Sequence, residues 1–328
     1  PEKLRNHLRA YADLTAGKEF VLLLGSLDTI PMRCAYTASD DHSEYASVHT
    51  DYYYEELTAE WDTDGDGFYG EYGDDMSQET EDYGSELHVG RIPWDESTQV
   101  QSILDGIIAF EADSSPRMRR VLGAASVILY ACDVALWMDL ARRLVLKPAD
   151  YETTILYDRC PDLPSDGPLT MDRFLGSWEA EEPALAVWHS LGSAYRSYGS
   201  GGLGAFIDVE NLPRNVGPAI CLTTGADMAK PYVESLGRVL VRDGACAAFI
   251  GSGEGTWVGI DPVPAFNVHF EIVHQLVWWR KALAEAKQAC LEYYVEAECV
   301  PDNLAGRYFH QNLFQFMTYG DPSIQLVY

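Results

Sequence analysis

The feature that most constrains this chain is an alternation of short, continuous apolar runs with stretches of helical spacing. The runs Phe20–Leu24, Leu87–Val89, Ala124–Tyr130, Thr153–Tyr157, Ala184–Trp188, Ala219–Leu222 and Cys246–Ile250 have the length and apolar density of strands buried on both faces. Between them, Ser97–Phe110 places Val100, Ile103, Leu104, Ile107 and Ile108 at helical spacing, and Ala135–Leu146 and Met228–Val241 read as further helices. The tail reads as helical over Val268–Glu298 and Asn303–Met317. Strands separated by amphipathic helices predict an α/β protein whose mostly parallel sheet is covered on both faces. The polar run Asp113–Arg120 is the expected boundary between a smaller N-terminal α/β subdomain, residues 1–115, and a larger C-terminal one, 116–328.

Charge and length exclude several classes. A formal net charge of −28 opposes nucleic-acid binding, because repulsion from phosphates would dominate. No apolar run reaches the length of a membrane span. The sequence starts at Pro1 with no apolar signal core, and is read as part of a longer precursor. Seven scattered cysteines form no CxxC pair, which argues against zinc, and the odd number leaves a thiol unpaired within a monomer.

The acidic charge is concentrated. Between Arg33 and Arg91 there is no lysine or arginine. Within that span lies 61-WDTDGDGFYGEYGDD-75, in which Asp62, Asp64 and Asp66 alternate ahead of Gly67 and Glu71. Hard oxygen donors on a glycine-permitted turn suit Ca²⁺. The loop opens like an EF-hand, but Gly73 stands where the bidentate glutamate belongs, so a calcium loop of another type is expected, with a solvated acidic turn as the alternative.

In parallel sheets, sites form beyond the carboxyl ends of the strands. Three of the expected strands end in reactive side chains: one in Cys132-Asp133, one in His189, and one in Cys221. If neighbours, they would bring a thiol, a base and an acid to one rim, which is the inventory of nucleophilic cysteine catalysis. Buried structural cysteines are the alternative.

Four stretches carry a resemblance: 20-FVLLLGSLDTIPMR-33; 61-WDTDGDGFYGEYGDD-75 with 87-LHVGRIP-93; 217-GPAICLTTG-225 with 249-FIGSGEGTW-257; and 319-YGDPSIQLVY-328. In their order they resemble the gingipain-type cysteine peptidases, and the resemblance implies a caspase-like three-layer α/β/α fold with two adjacent subdomains. It implies a cysteine endopeptidase acting on polypeptides, with Cys221 as nucleophile, Asp133 orienting a histidine, amides of Gly192 and Cys221 holding the oxyanion, and Trp257 lining the substrate pocket. It implies secretion or a cell-surface location and a taste for basic residues, for which Asp139 is a candidate pocket acid; the calcium expected from the spacing of Asp62, Asp64, Asp66 and Glu71 would be structural.

The resemblance fails at one position. The family's His-Gly-Ser falls on Leu191-Gly192-Ser193, and leucine can neither take a proton nor pair with a thiolate. His189, two residues earlier and roughly 6.5–7 Å back along the strand, is the candidate substitute base, with a packed strand histidine bonded to the backbone as the alternative. The other reading is a catalytically inactive homologue serving as a binding or scaffold domain, and a third is a calcium-dependent adhesion module.

Overall fold

The computed structural model describes residues 1–15, 19–36, 47–71, 74–75, 84–128, 133–199, 204–256, 265–297 and 311–326. In chain order the elements are α1 (Glu2–Thr15), β1 (Glu19–Leu24), β2 (Arg33–Tyr36), β3 (Ser47–Thr50), α2 (Tyr52–Glu55), β4 (Leu87–Ile92), α3 (Ser97–Glu111), β5 (Arg120–Ala125) and α4 (Asp133–Leu140). They continue with β6 (Glu152–Tyr157), β7 (Gly167–Pro168), α5 (Met171–Glu181), β8 (Leu185–His189), β9 (Leu191–Ser193), β10 (Arg196–Tyr198) and β11 (Ala205–Asp208). The last are β12 (Ala219–Thr223), α6 (Leu236–Arg242), β13 (Cys246–Ser252), α7 (Ala265–Trp278), α8 (Leu283–Ala297) and β14 (Phe316–Gly320).

Nine strands form one sheet in the order β1-β4-β14-β13-β12-β8-β5-β6-β7. All pairings are parallel except β13 with β14. The most central strands, β8 and β12, are buried at every residue, which is why they read as unbroken apolar runs. Helices α4, α7 and α8 pack together, and α3, α5 and α6 cover other parts of the sheet. The sheet is continuous across the boundary expected at residue 115: β14, from the C-terminal end, lies between β4 and β13. A large core spans most of the chain, and α3 contributes Ile103, Ile107 and Phe110 to it; a smaller core gathers around Trp61, Tyr52–Tyr54 and Phe314.

Two sequence motifs from opposite ends of the chain meet here. Tyr319 pairs with Arg91, and a β-carbon on Gly90 would stand 2.5 Å from the Gly320 carbonyl and 2.6 Å from the ring of Pro322. GRIP and YGDPS are therefore two halves of one strand contact, in which only glycine lets the backbones approach this closely. Arg91 is wholly buried and forms a two-pronged pair with Asp51, at 2.6 and 2.7 Å, while its third nitrogen donates to the Ile30 carbonyl at 2.7 Å.

Several expectations need correction. The strand expected over Ala124–Tyr130 runs over Arg120–Ala125, because its register follows β6 and β8 rather than the apolar run itself. The helix expected from Met228 begins only at Leu236; Pro231, which lacks an N–H and clashes with a preceding turn, keeps the segment before it irregular. The tail helix is broken into α7 and α8, with Arg280 in the left-handed region (φ 51°). Asn303–Met317 does not end as helix: Phe316 and Met317 open β14, while 303–310 lie outside the described residues. Ile108 stands 60% exposed, about 140° around α3 from Ile103, so it is not on the core face.

Candidate functional site

Register places the strand-end residues. Thr223 pairs with Trp188, and Ala125 pairs with His189, so β5, β8 and β12 finish at nearly the same level. His189 is buried, and its Nδ1 lies 3.2 Å from Thr224 Oγ1, just past the end of β12. The imidazole helps line an apolar cavity with Val121, Trp137, Met138 and Phe270. Burial pushes its pKa down to about 4.

Cys221 does not join it. Cys221 pairs with Ala186, three residues back from His189 and about 10 Å deeper along the strand. Its side chain is wholly buried and its sulfur is bonded to Cys246 on the neighbouring strand β13. A disulfide sulfur in a central strand is not a thiolate and no substrate carbonyl reaches it, so the expected nucleophile is corrected to a structural staple. The expected oxyanion hole falls with it, because β12 is paired on both sides and the Cys221 amide belongs to that ladder.

The rim above carries different chemistry. Leu191 opens β9 with its side chain 47% exposed, at the position where the resemblance expects the base. Gly192 is pressed against the segment that follows β12: a β-carbon there would meet Met228 Cε at 2.2 Å and the Ala226 backbone at 3.1–3.2 Å. The same methyl lies 2.6 Å from the β-carbon position of Gly225. Met228 is held from below, since Trp188 Nε1 donates to Ser197 Oγ, which in turn contacts the Met228 sulfur at 3.5 Å. A thioether thus packs between two glycines at this part of the rim.

Of the remaining expected residues, Asp133 is the first residue of α4; its backbone is described and its side chain is not. Trp257 lies outside the described residues. Asp139 is buried and bridged at 2.7 Å to Arg143 one turn along, so it is not a pocket acid waiting for a basic substrate. The cysteines outside disulfides among the described residues are Cys34, half-buried, and Cys160 and Cys290, both buried.

The acidic loop is brought together as its spacing suggests. Carboxylate oxygens of Asp62, Asp64 and Asp75 lie within 4.8 Å of one another, as do those of Asp64, Asp66 and Glu71. Backbone amides of Asp66, Gly67 and Phe68 donate to Asp64, Asp62 and Asp66, wrapping the turn around its own side chains. Trp61 anchors the loop, tilted against Phe314, edge-on to Tyr53 and donating to Glu56 Oε2 at 2.8 Å. Asp75 was not among the expected ligands. It accepts from Thr63 and Glu71, and burial raises its pKa. Its only signal in the sequence is its place at the end of the acidic stretch.

The fold is that of an α/β protein with a nine-stranded, mostly parallel sheet. A family model described as Peptidase family C25 matches residues 1–172, more than half of the chain. The chain belongs to that family. Among solved structures, the Arg-specific cysteine proteinase gingipain R superposes with a TM-score of 0.70 at 15% identity, over 98% of this chain and 67% of that one. A complex of the pro- and mature domains of Porphyromonas gingivalis RgpB gives 0.69 at 15% identity, over 98% and 69%, and a third protease gives 0.66 at 13%, over 98% and 67%. The likeness bears out the caspase-like α/β fold. No curated protein matches the chain in sequence. No helix among the described residues is long and apolar enough to cross a membrane.

The state of His189 has a measurable consequence. In the unfolded chain an imidazole takes up its proton near pH 6.5, whereas in the fold it resists protonation to about 4. Stability from this group is therefore intact above pH 6.5 and falls as pH drops toward 4, by about 3 kcal/mol in all. Urea midpoints across pH 4–7 should show this slope in the natural chain and lose it in His189→Asn. An unchanged slope would place the acid sensitivity elsewhere.

Proposed function

We propose that this chain is a non-hydrolysing member of its family, working as a polypeptide-binding or scaffold domain on a peptidase fold. The observation that carries this reading is the Cys221 sulfur, buried and bonded to Cys246. Leu191 on the rim, and the Met228 side chain between Gly192 and Gly225, point the same way. The cysteine-endopeptidase mechanism through Cys221, with His189 as base, has no support in this arrangement, because the one is oxidised and the other faces a threonine in an apolar cavity. The test is incubation with a peptidyl electrophile that labels thiols, followed by mass mapping, beside a mixed peptide-cleavage assay. We expect no adduct at Cys221 and no cleavage, in the natural chain and equally in Leu191→His. Turnover that disappears in Cys221→Ala would sink the reading.

Calcium belongs to the same proposal, as a structural ion. The donor set fits: oxygens 4.8 Å apart or less can share one ion, since Ca–O bonds of roughly 2.4 Å allow separations up to about 4.8 Å. Two triads sharing Asp64 would each offer three donors to an ion, Asp62 and Asp64 with Asp75 in one and Asp64 and Asp66 with Glu71 in the other, and the ion's charge would offset the mutual repulsion of the carboxylates. Adding Ca²⁺ at 100 times its dissociation constant should stabilise the fold by about 2.7 kcal/mol, and Asp64→Asn should remove most of that gain. A melting temperature indifferent to Ca²⁺ and chelator would overturn it. The adhesion reading is separated by asking whether chelation abolishes surface binding in a chain that stays folded.

The Cys221–Cys246 bond also supports export, because disulfides persist in oxidising compartments. Secretion or display at a cell surface follows as part of the proposal.

A further inference from the structure

The hairpin of β2 and β3 carries chemistry that neither the rim nor the acidic loop uses. Its register sets Cys34 opposite His49, Ala35 opposite Val48 and Tyr36 opposite Ser47. Side chains of successive residues point to opposite faces of such a ribbon. Ala35 and Val48 are wholly buried in the smaller core, so Cys34, Tyr36, Ser47 and His49 share the other face, where all four are half-buried. Directly opposed residues on antiparallel strands hold their β-carbons roughly 4.5–5.5 Å apart. A thiol and an imidazole at that spacing can close on one small ion between them.

Neighbours fix the pair and set its charge. The Tyr232 ring, from the segment after β12, stands edge-on to the His49 ring with 4.7 Å between centroids, and it lies within electrostatic reach of Cys34. Tyr36 is close enough to Cys34 to share a hydrogen bond, and its own ring meets Phe68 of the acidic loop edge-on at 4.9 Å. Cys34 is outside any disulfide. Arg33 turns to the opposite face, over the rings of Tyr53 and Tyr69. Lys230, the cation that His49 feels, is matched by both Asp227 and Glu254 at 3.1 Å. The surroundings therefore favour a cation over an anion.

We propose that Cys34 and His49 form a binding site for monovalent copper. A deprotonated thiol is a soft donor and an imidazole a borderline one, a set that suits copper, whereas Ca²⁺ and Mg²⁺ take oxygen. Zinc asks for three or four protein donors. Among the described residues, the groups of three or more His, Cys, Asp or Glu close enough to share an ion all lie in the acidic loop. Two donors satisfy Cu(I), which accepts a pair of ligands on opposite sides. Binding forms an S–Cu and an N–Cu bond, and the thiol proton leaves to solvent with no electron transferred. This inference goes beyond the non-hydrolysing reading and does not rest on it, nor on the calcium proposal.

The test is titration of the whole chain, with Ca²⁺ present and ascorbate keeping copper reduced, against Cu(I) held as its bicinchoninate complex. We expect one ion to be withdrawn per chain, with a sulfur and a nitrogen as its neighbours in the X-ray absorption spectrum. Cys34→Ser should abolish the withdrawal. His49→Gln should weaken it at least tenfold, since even the outer partners of a metal ligand are worth roughly 10–100-fold. Asp64→Asn and Cys160→Ala should leave it unchanged. Should His49→Gln melt early, the absorption spectrum of the natural chain decides in its place. No copper withdrawn, withdrawal that survives Cys34→Ser, a His49→Gln variant that binds as tightly as the natural chain, or copper held by two sulfurs in a dimer would each overturn the proposal.

Discussion

Arg91→Met is expected to destabilise the protein by about 3–5 kcal/mol, the cost typical of removing one partner from a buried ion pair. The reason is what remains. Asp51 is nearly buried and receives both oxygens' bonds from the guanidinium, at 2.6 and 2.7 Å, so without Arg91 it is an uncompensated charge away from water. The Ile30 carbonyl loses its donor as well. Removing both charges, in Arg91→Met with Asp51→Leu, should recover a large part of the loss, because two apolar groups in that space leave nothing unpaired. Chemical denaturation of the two single variants and the double one measures the coupling. A single variant that loses less than about 1 kcal/mol would mean that Arg91 does not hold the segment around Asp51 to β4.

The second large effect concerns the staple. Cys221 and Cys246 are 25 residues apart, and closing a loop of that length stabilises the folded state by about 3 kcal/mol, chiefly by restricting the unfolded chain. Cys221→Ala with Cys246→Ala should lower the denaturation midpoint accordingly, and a reducing agent strong enough to open the bond should do the same to the natural chain and nothing to the double variant. The nucleophile reading expects the opposite pattern: reduction would raise reactivity toward electrophiles and leave stability alone. Opposite signs on two readouts distinguish a bond that holds β12 to β13 from a thiol waiting to act.

Much of the fold was legible because it rests on local pattern. β8 and β12 are buried on both faces, so their sequences are apolar throughout, and α3 shows its period over four turns. The acidic loop was legible for a related reason: its donors are close in sequence, so spacing alone brings Asp64, Asp66 and Glu71 together, and Asp62 beside Asp64. Asp75 needed the chain to fold back through its bonds with Thr63, which no local rule encodes. The late start at Leu236 depended on a single residue, Pro231, whose effect competes with helical spacing, whereas the split between α7 and α8 puts Arg280 in the left-handed region, which its residue type does not announce.

The candidate site was legible in its missing part and misread in its present one. Leu191 announces from sequence alone that no base stands at that position, since its chemistry does not depend on context. Whether Cys221 is a nucleophile or a staple depends on a partner 25 residues away and on how far along β12 it lies, and both are set by strand register. Sequence by itself determined the α/β alternation, the acidic loop and the loss at Leu191, because each is a property of neighbouring residues. Only the tertiary structure decided the disulfide, the buried neutral His189 and the Arg91–Asp51 pair, because burial and long-range pairing exist only once the strands have found their order.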